Sequence, residues 1–293
     1  MVRIQLMRRG HFRIEPLQIR TGDPFGFFEA SASVGQGVTL IVYPRIDALP
    51  LWRLPPANLE GAHASPERTL QTTPLATTVR PYAPGDSMNR IHWRSTARLG
   101  EIQVKEFELE QTADAWIFLD LDSAFEVGEG EDSTTEVAVR VAASVADKAI
   151  GENRAVGLTL NGHRVTVLPA DRGARQRLKI LQLLASVEAD GQTPFVEALV
   201  TGLTRLRRGM TAIIVTASLD PSFIRPLATL RGRGIGSVVV LLDPTAFAAD
   251  SEAAEDSEIR RQRARALRHA LAEYELPTVS IGPTRDLGEV LVG

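Results

Sequence analysis

From about residue 113 to the end, short apolar β-branched runs alternate with stretches of helical periodicity, and this limits the fold more than any other feature. The runs are Ala115 to Leu121, Val156 to Leu160, Val165 to Leu168, Thr211 to Thr216, Ile235 to Leu242 and Thr278 to Ile281. Between them, Val137, Val141 and Val145 recur at helical spacing, as do Leu178, Leu181 and Leu184, then Phe195, Leu199, Leu203 and Leu206, then Phe223, Leu227 and Leu230. A last helix is predicted from about Ala253 to Tyr274, acidic at its start and arginine-rich after it, as the helix dipole favours. Asn161-Gly162 is a favoured hairpin turn between the second and third runs. Strands that are apolar along their whole length are buried on both faces, so the pattern predicts an α/β fold with a doubly wound, mostly parallel sheet.

The preceding chain has a different texture. Residues 1–46 read as a partial β (Ig-like) region. Phe12, Ile14, Leu17 and Ile19 suggest strands broken near Pro16, Thr21 to Gly26 a turn, and Val38 to Tyr43 another strand. That is too little for a sandwich of about seven strands. Residues 47–78 are expected to be a Pro-rich extended linker, because Pro44 to Pro84 holds eight of the 17 prolines and each removes a backbone donor. Residues 79–112 form a dense polar segment, and 113–293 the α/β domain.

Composition excludes several functions. With no cysteine there is no disulfide, thiolate metal site or cysteine nucleophile. A net charge of −3 and a pI near 6.0 give no general affinity for nucleic acid, and no such partner is expected. There is no run of about 20 apolar residues to span a membrane and no signal peptide, so a cytoplasmic location is expected. The five histidines are scattered, and zinc-protease, Walker and nucleophile-elbow motifs are missing.

Open α/β sheets bind ligands at the carboxyl ends of their strands. Here those ends carry Asp120 and Asp122, then Ser218 and Asp220, then Asp243, oxygen groups of the kind Mg²⁺ takes. Each also has a structural reading. Asp220 before Pro221 and Thr193 before Pro194 are predicted helix N-caps, and Ser133 with Glu136 fits a capping box.

The polar segment balances Arg80, Arg90, Arg94, Arg98 and Lys105 against Asp86, Glu101, Glu106, Glu108 and Glu110. Balanced charge favours an ion-pair network that braces the α/β domain against the β region, with Trp93 as its packing anchor and Arg90, Arg94 and Arg98 on one helix face. A competing reading makes Asp86, Glu101 and Lys105 the centre of a Mg²⁺-dependent nuclease or phosphohydrolase.

The same segment resembles the signature of the bacterial domain-of-unknown-function-58 family. The matching residues are Arg80, Tyr82, Gly85, Asp86, Arg90, Ile91, Trp93, Ala97, Arg98, Val104, Lys105, Phe107 and Glu108. Arg8-Arg9-Gly10, Asp23-Pro24-Phe25-Gly26, Glu131 to Thr134 and Val141 to Ser144 extend the resemblance over most of the chain. It implies a von Willebrand factor A-like domain and a partner of the MoxR-type AAA+ ATPase class, in protein assembly or maturation. It also implies a shortened amino terminus, since such proteins often carry membrane helices before the β region; a place at the inner face of the membrane follows, and a structural cell-envelope role is a further alternative. The A-domain metal-ion-dependent adhesion site maps onto Asp120, Asp122, Ala124, Thr193 and Ala217. Two of these five have no side-chain oxygen, so the site is expected to be degenerate, with Asp120, Asp122 and Thr193 its remaining ligands and Mg²⁺ its possible ion.

Overall fold

In the computed structural model, which describes residues 6, 8–53, 78–83, 86, 88, 91–106, 114–247, 254–284 and 286–291, the predicted alternation becomes one six-stranded sheet. Its strands are β7 (Ala115–Asp120), β8 (Val156–Asn161), β9 (Val165–Asp171), β10 (Thr211–Thr216), β11 (Gly236–Leu242) and β12 (Thr278–Ile281). The helices are α2 (Thr134–Gly151), α3 (Gly173–Ala185), α4 (Phe195–Leu203), α5 (Ile224–Gly232), α6 (Pro244–Phe247) and α7 (Ala254–Glu273). The strand order is β12-β11-β10-β7-β8-β9, with every pair parallel except the β8–β9 hairpin. This is the doubly wound order, and its direction reverses between β7 and β10.

The central strands are buried on both faces, as their apolar runs require, while the edge strand β9 is partly exposed. All six residues of β7, β8 and β10 are buried. Ile117, Leu119, Ile213 and Val240 face α2 and α3, while Trp116, Phe118, Ile214 and Val239 face α4, α5 and α7. Two glycines let neighbours come close. A Cβ on Gly157 would lie 2.5 Å from the Trp116 ring, and one on Gly202 of α4 2.4 Å from Phe118.

The amino-terminal strands are β1 (Gly10–Ile14), β2 (Leu17–Gly22), β3 (Glu29–Val34) and β4 (Val38–Val42). They form two antiparallel pairs, β1 with β4 and β2 with β3. At the β2–β3 turn the Asp23 carboxylate accepts the backbone N–H groups of Phe25 and Phe28, and Phe25, Phe27 and Phe28 stand 82%, 79% and 78% exposed.

The chain divides into two units, residues 1–58 with 113–293, and residues 59–112. Within the first, residues 47–53, expected as part of a free linker, lie against α2 instead: Leu49 and Trp52 are buried in the core. Asp47 is buried, pairs with Arg140 and Arg45, and its backbone N–H donates to Ser144 at 2.9 Å. Local apolar residues, not prolines, decide the path here. Residues 54–77 of the expected linker lie outside the described residues.

The second unit contains the ribbon of β5 (Thr78–Pro81) with β6 (Gln103–Glu106), and the short helix α1 (Trp93–Leu99). His92 caps α1, its Nδ1 accepting the Ser95 N–H at 3.3 Å, and Gly100 ends it at φ 74°.

Candidate functional site: the carboxyl rim at the switch point

Three parallel strands end side by side in polar residues, Asp120 on β7, Asn161 on β8 and Thr216 on β10. All three are buried. Asp120 and Asn161 are register partners, and Thr216 lies across the switch point. The Thr216 hydroxyl donates to Asp120 Oδ2 at 2.6 Å. Asp120 Oδ1 accepts the Asn161 side-chain amide at 3.3 Å and the Asp122 backbone N–H at 3.2 Å. Burial outweighs these hydrogen bonds, and the nearby Asp122 charge adds to it, so the Asp120 carboxyl is pushed up to about 6 from an ordinary 3.8.

The network extends outwards. Asn161 Nδ2 also donates to the Thr193 carbonyl at 3.0 Å. Thr216 Oγ1 accepts the Ser218 N–H at 2.9 Å, and the buried Ser218 hydroxyl accepts the Asp220 N–H at 3.1 Å. Asp120, Asp122, Thr193, Ser218 and Asp220 are therefore all linked, through two residues, Asn161 and Thr216, to which sequence reasoning gave no role at the site. The available signal was a polar residue closing each of three mostly apolar runs, those of β7, β8 and β10.

Loop backbone fixes the rest of the rim. Gly191 bridges to Asp122, donates to the Leu121 carbonyl at 2.9 Å and accepts from Ser123 N–H and Oγ at 3.1 Å each. A Cβ there would lie 2.6 Å from the Asn161 carbonyl oxygen and 2.8 Å from that of Leu121, so only glycine lets this loop carry Thr193 to the rim. Asp122 is half-buried and caps the 3₁₀ turn Ser123–Phe125, accepting the Ala124 N–H at 2.9 Å. Asp220 is the cap the sequence predicts: it accepts from Ser222 N–H at 3.1 Å and Ser222 Oγ at 2.6 Å, with Pro221 next. Thr193 is not a cap. Pro194 is itself extended (ψ 133°) and occupies the N-cap position of α4. Ser133 caps α2 through the Glu136 N–H, but the Glu136 carboxylate turns to Arg9 and does not close a capping box.

The recess beside Asp120 holds about 10 Å³, at most one water molecule. A cleft of about 440 Å³ opens alongside the rim, lined by Phe125, Leu219, Asp220, Arg263, Leu267 and Ala270. Among the described residues no three His, Cys, Asp or Glu side chains gather as metal ligands.

In the second unit, the Arg80 guanidinium grips Asp86 with two hydrogen bonds of 2.8 Å, and Asp86 Oδ2 also accepts the Ala83 N–H at 2.9 Å. That commits the carboxylate on which the hydrolase reading depends. Glu101 is exposed, and Lys105 stands opposite Val79 in the ribbon. Tyr82 donates its N–H to the Ile102 carbonyl at 2.8 Å, and Arg98 lies exposed in the last turn of α1. Trp93, expected as a packing anchor, is 68% exposed, because α1 buries no residue and Ile91 and Val104 are the buried apolar pair. Arg90, Glu108 and Glu110 lie outside the described residues, so the proposed arginine stripe can be placed only at Arg94 and Arg98, both exposed on α1.

Comparison with known proteins gives relatives in two bacterial groups. The uncharacterized protein YeaD of Bacillus subtilis is 26% identical over 261 residues, covering 89% of this chain and 62% of its own length. The uncharacterized protein Rv1480 of Mycobacterium tuberculosis is 28% identical over 171 residues, covering 56% of this chain and 54% of its own length. The chain thus spans between half and two thirds of these relatives. Among solved structures, the SpRpn10 VWA domain matches 61% of this chain and 93% of that domain, at 13% identity and a TM-score of 0.38. The model of the family described as "protein of unknown function DUF58" matches residues 78–273, and the chain belongs to that family.

Proposed function

We propose that this chain is a non-enzymatic interaction module that docks a protein partner on the carboxyl rim of its sheet, at Asp120, Asp122, Thr193, Ser218 and Asp220. The observation that carries this reading is the closure of the switch-point network. Both oxygens of Asp120 are engaged by protein donors, and the recess beside it is too small for a substrate. A catalytic carboxylate needs a reacting atom within hydrogen-bond reach. Here the buried groups hold one another and fix the outer ones, which serves recognition. The adjoining 440 Å³ cleft, largely apolar, suits anchor side chains of a partner.

A divalent ion of the adhesion-site kind does not fit these residues. Ala124 and Ala217 offer no side-chain ligand, Asp122 caps its own turn, and Thr216 takes the Asp120 oxygen. The metal site is degenerate in this reading, and hydrogen bonds between strands do its mechanical work.

The partner class we favour is a MoxR-type AAA+ ATPase, on the family resemblance. Pull-down of the cognate ATPase by the full chain tests it. Capture is expected, with loss on Thr193→Ala or Asp120→Asn while far-UV dichroism stays unchanged. Capture indifferent to both substitutions excludes the rim, and failure of any capture excludes this partner.

A further inference from the structure

At the opposite, amino edge of the sheet, the loops entering β10 and β11 carry Arg205, Arg207, Arg208 and Arg233, all exposed. The two loops are tied together. Gly209 N–H donates to the Gly234 carbonyl and Gly236 N–H to the Met210 carbonyl, each at 2.9 Å, and the Arg233 guanidinium donates to the Leu206 carbonyl at 3.3 Å. Gly209 and Gly234 adopt φ of 87° and 69°, and a Cβ on Gly234 would lie 3.0 Å from the Arg208 side chain, which lies over it. The loops therefore present their arginines from a fixed backbone rather than from loose tails.

Charge is distributed unevenly in a telling way. The chain has more acidic than basic residues, 36 against 33, and several of its arginines are paired with them: Arg9 with Glu136, Arg140 with Asp47, Arg172 with Asp114, Arg268 with Asp243. Among the described residues no carboxylate pairs with Arg205, Arg207, Arg208 or Arg233; Arg231, in the last turn of α5, pairs with Glu275. β10 and β11 are neighbours, and adjacent strands are about 4.8 Å apart, so the backbones that carry these arginines enter the sheet side by side. A bare guanidinium cluster is complementary to carboxylates or phosphates in two-point geometry.

We propose that this amino-edge arginine cluster is a second recognition surface, separate from the rim, which takes an acidic segment of a partner protein. Discrete carboxylates match it better than a continuous polyphosphate. The cluster is short, and the Glu275 carboxylate beside Arg231 interrupts its positive field.

The test is fluorescence anisotropy of a labelled oligoglutamate peptide titrated with the full chain. Binding is expected at about 50 mM salt and is weakened at least about tenfold at about 300 mM, as screened charge pairs require. Arg207→Glu with Arg208→Glu is expected to weaken it by a similar factor, and the neutralising pair Arg205→Gln with Arg207→Gln serves if the reversal disturbs the fold. Arg175→Glu, an exposed arginine on α3, leaves binding unchanged. The proposal is overturned by absence of peptide binding or by equal loss with Arg175→Glu. It is also overturned by tighter binding of a single-stranded oligonucleotide or of phosphatidylglycerol vesicles, which would make the cluster a phosphate reader.

Discussion

Replacing Asp120 with Asn probes the switch point most sharply, because it removes one charge and keeps the shape. Burial raises the Asp120 carboxyl to about 6 in the folded chain, against 3.8 when unfolded. A carboxyl raised on folding binds its proton more tightly in the native state, so it stabilises the fold as pH falls. The gain begins as pH drops through about 6 and is complete below about 3.8, with a limit of about 3 kcal/mol from about 1.4 kcal/mol per pH unit of difference. Between pH 7.5 and pH 5 the same relation gives about 1 kcal/mol. Other groups titrate over this range, so the informative quantity is the difference between the two proteins. Urea denaturation followed by far-UV dichroism at half-unit intervals measures it. Wild type is expected to gain about 1 kcal/mol on Asp120→Asn across that window. Parallel profiles, or a wild type that loses ground as pH falls, would refute the argument that Asp120 is a charge held in a dry place.

Three further outcomes follow from the geometry. Gly191→Ala forces a methyl into two backbone oxygens and is expected to cost about 1–3 kcal/mol and to lower partner capture, read by thermal melting and pull-down. Trp52→Ala empties a buried site in the main core and is expected to cost about 3–5 kcal/mol in chemical denaturation; an unchanged midpoint would detach residues 47–53 from the domain. Serine at Phe25, Phe27 and Phe28 together removes an exposed aromatic tip, so stability should hold within about 0.5 kcal/mol for each surface change while binding of a hydrophobic dye falls.

The α/β layer was legible because its strands are buried on both sides, which writes them as unbroken apolar runs. Thr211–Thr216 and Thr278–Ile281 are strands with the bounds the sequence predicts. By contrast β3, Glu-Ala-Ser-Ala-Ser-Val, alternates polar with mostly small apolar residues and is exposed on both faces, so no large apolar run marks it. Asp120 and Asp220 could be found from their places at strand ends. Asn161 and Thr216 could not be given their role, because it depends on which strands become neighbours and in what register, and that is decided by packing between distant segments. Asn161 instead reads as half of a two-residue turn, whereas it closes β8, paired with Val165 across the loop 162–164. The burial of Trp52 and the exposure of Trp93 have the same origin: a lone aromatic shows that apolar area must go somewhere, but not where its covering surface will come from.

The most direct test of the central claim is the affinity of the purified full chain for the MoxR-type ATPase proposed as its partner, measured by calorimetry with and without a chelator. The account predicts equal binding in both conditions and at least about tenfold weakening, or about 1.4 kcal/mol, when Asp122 and Asp220 are changed to Ala. Binding that disappears with chelation, or that ignores both changes, would contradict it.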